Sequence, residues 1–401
     1  MTNNIFKNKK IMHAIYLGLV CSLTYLAVYY VRNILGATTP QMLLSGFAES
    51  YIGAAGSAFF TFYAIGQLIN GFIGDRIKAR YMLSGGLLLA AISYFAFYRL
   101  SMSQGETAII LYGLTGFFLS MIYAPMTRVI AENTEPVYAT RCVVGLTFSS
   151  FFGSPLAGVC ALLMTWQLTF VCGSFALLLM ALVCFFSFLA FEKKGIIRER
   201  MGEKGKKVKF DAKVLFKRNI LKFTVIVALT GVVRTSVVFW MPTYISQHLD
   251  FSPEVSASIF TVATLAISAT TFIAVFLYER LRRNMALTMR ILLGCAAIFF
   301  LLCFMFRNPV INILCLVLAI MSSNGADSMI WNQYCVSLSD TGMVSTATGF
   351  LDFISYMSAA VSNVFFANAV TAIGWGNLIL IWLGLMLVGF FVSFKKDDIK
   401  Q

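Results

Sequence analysis

The sequence predicts an all-α polytopic membrane protein, with twelve transmembrane helices arranged as two six-helix pseudo-repeats. Three observations predict it. Of 401 residues, 59% are hydrophobic and only 12% are charged, whereas a water-soluble domain carries about 25% charged residues. Apolar runs of about 20 residues, the length that crosses a bilayer, recur along the chain without the short alternating segments of a barrel. Lysine and arginine are concentrated in alternate loops, the pattern of the positive-inside rule.

The elements follow in order. The first run, roughly 12–37, is preceded by Lys7, Lys9 and Lys10 and is followed by no small-residue cleavage site, so it reads as a retained span. The second, roughly 52–73, leads into Arg76, Lys78 and Arg80. The third and fourth, roughly 82–100 and 107–127, meet at a loop with only Arg99, and Arg128 and Arg141 flank the next loop. The fifth and sixth run roughly 142–164 and 168–191, with Gly145, Gly153, Pro155 and Gly158 on the fifth permitting a kink and close packing. Eleven basic residues then lie between Lys193 and Arg218. Six more runs follow, at roughly 221–246, 254–278, 286–306, 310–332, 345–368 and 376–394. Arg280, Arg282 and Arg283 follow the eighth run, Arg307 follows the ninth, and Lys395, Lys396 and Lys400 close the chain.

This placement puts both termini and the central loop on the cytoplasmic face of a bacterial inner or plasma membrane. It divides the chain into a six-helix bundle at 1–192, a basic linker at 193–219 and a second bundle at 220–401. It also explains the +14 net charge without nucleic acid. The partner of such a surface is the lipid bilayer.

The halves echo each other. Gly74-Asp75-Arg76 is matched by Glu279-Arg280, Trp166 by Trp375 and Arg32 by Arg234, at offsets of 204, 209 and 202 residues. Similar offsets at three places indicate an internal duplication. Parallel repeats around a midplane site are a transporter architecture. The nine cysteines are scattered through apolar runs with no CxxC, so they read as small core residues. No phosphate-binding glycine loop, zinc motif or catalytic triad pattern is present, so neither a cofactor nor an enzymatic reaction is expected.

The candidate site is marked by charges inside apolar runs, which are expensive and functional by default. Arg32 shares a helix face with Tyr25 and Tyr29 at i, i+4, i+7 spacing. Arg234 lies well inside the seventh run and must face an aqueous cavity or a buried carboxylate. Guanidinium is planar, permanently charged and able to bind phosphate oxygens bidentately. Asp327 and Asp352 are unusual acids in apolar runs of the second half, and Asp327 could instead lie near the inner surface as a loop contact. Either could neutralise Arg234, bind a cationic part of a substrate, or carry a proton.

The loop Gly71-Phe72-Ile73-Gly74-Asp75-Arg76-Ile77-Lys78-Ala79-Arg80 resembles the loop signature of the major facilitator superfamily. That resemblance implies the major facilitator fold and a conformational role for Asp75, Arg76 and Arg80. Three further patches are similar to the organophosphate:phosphate antiporter family. They are Tyr29-Tyr30-Val31-Arg32-Asn33 with Pro40, Arg234 followed by Trp240-Met241-Pro242-Thr243-Tyr244, and Thr346-Ala347-Thr348-Gly349-Phe350 with Tyr356 and Gly374-Trp375.

The resemblance implies that Arg32 and Arg234 grip a phosphate, with Tyr25, Tyr29, Tyr63 and Tyr356 as cavity tyrosines. It implies a sugar phosphate or other organophosphate exchanged for inorganic phosphate by a monomer. Two departures make the cavity less basic than the family pattern. Gln67 stands where the family has a lysine, and the fifth run has no histidine near Ser149-Ser150-Phe151-Phe152. His13 and His248 lie away from that position. The open alternatives are proton- or sodium-coupled symport of an organic anion such as a sugar acid, and a non-transporting sensor of sugar phosphate. The counter-ion is accordingly phosphate or a proton.

Overall fold

The computed structural model describes residues 2–74, 77–197, 215–216, 218–338 and 344–395. Asp75, Arg76 and most of the 193–219 linker lie outside the described residues. The described elements are all helical. A helix satisfies its own backbone polar groups, which is what a bilayer interior demands.

The first half contains α1 (Thr2–Leu44), α2 (Glu49–Gly74), α3 (Ala79–Ser101), α4 (Glu106–Leu119), α5 (Tyr123–Asn133), α6 (Pro136–Leu163) and α7 (Trp166–Lys193). After the linker come α8 (Ile220–Gly231), a π-helical turn at Val232–Val237, α9 (Val238–His248), α10 (Pro253–Ser268) and α11 (Thr270–Arg280). Then follow α12 (Met285–Met305), α13 (Pro309–Met329), a second π-helical turn at Ile330–Tyr334, α14 (Cys335–Ser337) and α15 (Val344–Ser393).

Ten helical stretches among the described residues are long and apolar enough to cross a membrane. One of them, Ala347–Ser393, is broken at Gly374, whose φ of 75° lies in the left-handed region that suits glycine. α6 adds the apolar stretch Phe148–Leu163. Dividing the first and adding the second is consistent with the twelve expected crossings.

Helix starts are set by local chemistry. The side chains of Thr165, Ser252, Asn284 and Asn308 each accept a backbone N–H of the following turn, and Pro136, Pro253 and Pro309 occupy the first turn, where no donor is lost.

Some details differ from the sequence expectation. α1 runs on to Leu44 with Pro40 inside it, well beyond the expected end near 37. The fourth crossing is two helices with a break between Leu119 and Tyr123. The eighth crossing too is two helices, Pro253–Ser268 and Thr270–Arg280. The seventh and tenth crossings each carry a π-helical turn, which widens the helix by one residue and has no hydrophobic-period signature.

Close helix contacts join the first six crossings to the last six. A side chain at Gly158 of α6 would collide with Phe260 and Thr261 of α10. The Ser268 hydroxyl donates to the Phe151 carbonyl at 3.0 Å. Phe239 of α9 packs against α1 at Gly36 and α2 at Gly56. At the end opposite the chain termini, Gln247 Nε2 donates to Glu49 Oε1 at 2.6 Å.

The two tryptophans of the sequence echo make corresponding contacts. The Trp166 indole donates to Ser45, after the end of α1, at 3.1 Å. The Trp375 indole donates to Gln247, at the end of α9, at 3.0 Å. All nine cysteines are free thiols, buried or half-buried.

Candidate functional site

A cavity of about 260 Å³ opens between α1, α2, α6, α9, α10, α11, α13 and α15. Arg32, Arg234, Asp327 and Tyr356 all line it. α1 brings Arg32 to it from the first half, and the π-helical turn brings Arg234 from the second.

The two arginines meet at α15. Arg32 Nη1 donates to the Tyr356 hydroxyl at 2.9 Å, a contact between the first and eleventh crossings. Arg234 Nη2 donates to Ser355 Oγ at 2.9 Å. Tyr356 also offers its ring to both guanidinium groups, at 4.8 Å from Arg32 and 5.6 Å from Arg234.

Their surroundings are otherwise unlike. Arg32 sits within a box of rings, with Tyr29, Phe60 and Tyr63 at 5.2, 5.3 and 5.5 Å. Ring faces attract a cation and leave its N–H groups available to an anion. Arg234 Nη1 instead lies 3.4 Å from Asp327 Oδ2. The Asp327 side chain is only 3% exposed, against 28% for Arg234, so the carboxylate depends on protein partners rather than water. It has them. Thr230 donates to Oδ1 at 2.9 Å, and the Trp331 indole donates to Oδ2 at 2.8 Å. Thr230 and Arg234 stand four residues apart on α8 and the following π-helical turn, so both reach the same acid. The second π-helical turn carries Trp331. The two irregular turns therefore flank the ion pair.

The other predicted residues divide. Tyr29 lines the cavity. Tyr63 is buried and edges against Tyr356 at 5.0 Å between ring centroids. Tyr25 is buried and packs between Tyr29 and Tyr123, at 4.9 and 5.4 Å. Gln67 is half-buried on α2 and does not line this cavity. Asp352 is half-buried on α15, one helical turn before Tyr356, and among the described residues it has no hydrogen bond or ion pair. It stands within electrostatic reach of Arg234 and Arg32.

Arg80 is remote from the cavity. It forms a 2.7 Å ion pair with Glu192 and stacks on Tyr81 at 4.5 Å, tying the start of α3 to the end of α7. Asp75 and Arg76, the other two conformational candidates, lie outside the described residues.

The sequence reading missed Phe60, Thr230, Trp331 and Ser355. Each lies three or four residues from, or next to, a residue it named: Phe60 from Tyr63, Thr230 from Arg234, Trp331 from Asp327, and Ser355 beside Tyr356. Helical spacing around a buried charge was the available signal.

Comparison with known proteins agrees with this architecture. The chain matches the Major Facilitator Superfamily over residues 21–363. It is 23% identical to the glycerol-3-phosphate transporter of Bacillus subtilis (strain 168), over 98% of this chain and 94% of that protein. A 71-residue segment is 31% identical to the membrane sensor protein UhpC of Escherichia coli (strain K12), covering 18% of this chain and 16% of that protein. Among solved structures, a bacterial homolog of the human lysosomal transporter Spinster superposes with a TM-score of 0.79 at 13% identity, covering 95% of this chain and 96% of that one. A D-xylose-proton symporter superposes at 0.73 and 14% identity, covering 95% and 97%. The chain belongs to the major facilitator superfamily and is a multi-pass membrane transporter rather than an enzyme.

Proposed function

We propose that the protein carries an anionic organic solute by alternating access, taking a sugar phosphate or other organophosphate in exchange for inorganic phosphate. The observation that carries this reading is the convergence of Arg32 and Arg234, at equivalent positions of the first and seventh crossings, on adjacent residues of α15. A phosphate between them would accept charge-assisted hydrogen bonds from both. The halves 1–192 and 220–401 rock about this point, in a bacterial inner membrane with both termini cytoplasmic, and the protein works as a monomer.

Asp327 gives the exchange a physical basis. With the site empty it neutralises Arg234. Among the described residues Arg32 is hydrogen-bonded only to Tyr356 and flanked by rings, with Asp352 in electrostatic reach but not bonded to it, so crossing unloaded leaves its N–H groups unsatisfied in the membrane. Crossing with an anion does not. The 23% identity to a protein named as a glycerol-3-phosphate transporter supports the substrate class.

The test is a counterflow screen in proteoliposomes loaded with phosphate and offered glycerol phosphate, sugar phosphates and sugar acids. Exchange of an organophosphate for phosphate is the expected result. Uptake of sugar acids alone would overturn the substrate assignment. A second reading, proton- or sodium-coupled symport of an organic anion, draws on the Asp352 carboxylate, which has no hydrogen bond or ion pair among the described residues. It requires uptake into phosphate-free vesicles driven by the ion gradient.

A further inference from the structure

One contact between the two halves buries an amide with nothing to bond. α2 and α15 run antiparallel along this contact. The Phe60 and Tyr356 rings stack at 6.3 Å. Next along, a Cβ at Gly56 would sit 3.3 Å from Asn363 Nδ2 and 3.1 Å from Phe239 Cζ. Furthest along, a Cβ at Gly53 would collide with the Ala367 side chain and lie 3.0 Å from the Asn363 carbonyl oxygen. Trp240 Cζ2 is 3.4 Å from the same position. The row leads from Tyr356, which receives Arg32, towards the Glu49–Gln247 contact opposite the termini.

Asn363 is fully buried in this row, at 0% exposure. Neither its Oδ1 nor its Nδ2 has a hydrogen-bond partner among the described residues, and neither has the Trp240 indole nitrogen. The serines of α15 that face their own half are different. Ser355 receives Arg234, and Ser362 shares a hydrogen bond with Ser236 at 2.6 Å. These groups are paired, while Asn363, pressed against α2, is not. A buried amide without a partner forfeits its hydration. That cost falls on the closed arrangement, because parting the halves on this side returns the amide to water.

Glycine facing a neighbouring helix is otherwise a favourable contact in a membrane. Halves that rock must part here in every cycle, and the open arrangement is populated only as far as the difference in stability allows. We propose that Asn363 is a residue of the transport cycle, a polar group buried at a cost while the halves are closed opposite the termini, which keeps that seal weak enough to part. The proposal needs alternating access alone and holds for any solute.

The experiment uses the full chain in a cysteine-free background, with one cysteine introduced at cavity residue Asn33. An impermeant maleimide is added on the side opposite the termini, and the initial rate of labelling reads how often the halves part there. Asn363→Leu keeps the branched outline of the side chain and removes both polar atoms. Labelling should slow roughly tenfold, the scale of one uncompensated buried polar group. Asn363→Asp places a costlier group at the same point, and labelling should quicken severalfold. The rate is the fraction of inserted protein modified per unit time, so reduced insertion does not alter it.

Labelling of Asn363→Leu as fast as the parent would overturn the inference. If that variant fails to insert, a rate for Asn363→Asp no faster than the parent would overturn it. The assay contains no transported solute, so its failure leaves the anion reading standing. Failure of organophosphate exchange in the counterflow screen would overturn that reading without touching this one.

Discussion

Arg32 and Arg234 occupy matching places in the two halves, yet substitution should affect them differently. Removing Arg234 leaves Asp327 as a buried carboxylate with only two neutral donors. Breaking one side of a buried pair costs about 3–5 kcal/mol, and the partial exposure of Arg234 puts this case at the low end. Removing Arg32 breaks no ion pair among the described residues, only its bond to Tyr356 and its ring contacts. We therefore predict that Arg234→Ala lowers the thermal midpoint of detergent-solubilised protein more than Arg32→Ala does, and that Asp327→Asn restores part of the loss. A larger loss for Arg32→Ala would contradict the assigned pairing. Arg32→Lys and Arg234→Lys keep the charge but lose the planar fork, and each should cut transport by at least roughly tenfold while the protein still inserts. Normal transport in both would remove the arginines from the site.

All four charges were legible in the sequence, because a charge within an apolar run is too costly to persist without a role. Which acid faces Arg234 was not, since that depends on how the seventh, tenth and eleventh crossings pack. The ring box was hidden for a different reason: among 38 phenylalanines, nothing marks Phe60 until it lies beside Arg32.

At the scale of elements, a short chain of polar contacts among the described residues joins the halves opposite the termini. Glu49 at the start of α2 accepts from Gln247 at the end of α9, which in turn accepts from Trp375. Such an exposed bond is worth about 1 kcal/mol, enough to shift a two-state balance severalfold. In a cysteine-free background, a cysteine introduced at cavity residue Asn33 should react severalfold faster with an impermeant maleimide added opposite the termini once Glu49 becomes alanine. An unchanged rate would mean that this bond does not hold the halves together. Apolar run length located the helices well. It could not locate the break before Tyr123 or the π-helical turns at Val232–Val237 and Ile330–Tyr334, because these alter backbone pairing without altering the apolar run.

For the whole molecule, the duplication read from three residue offsets reappears as geometry. Trp166 ties to Ser45 and Trp375 to Gln247, and Ser45 and Gln247 are themselves 202 residues apart, the same offset as the two arginines. The positive-inside pattern adds a prediction that geometry alone does not make: accessibility labelling should find the 193–219 linker on the cytoplasmic face, and an external location would overturn the orientation.

The central claim is that two arginines drawn from equivalent helices bind an anion that the protein exchanges. Arg234 is neutralised by Asp327 when the site is empty, so an anion gradient rather than a proton gradient should drive the cycle. The direct measurement is initial organophosphate uptake into phosphate-loaded and phosphate-free vesicles, at equal pH and then with the outside acidified. Internal phosphate should stimulate uptake more than acidification does. Uptake into phosphate-free vesicles that follows the pH gradient alone would contradict the account and establish ion-coupled symport in its place.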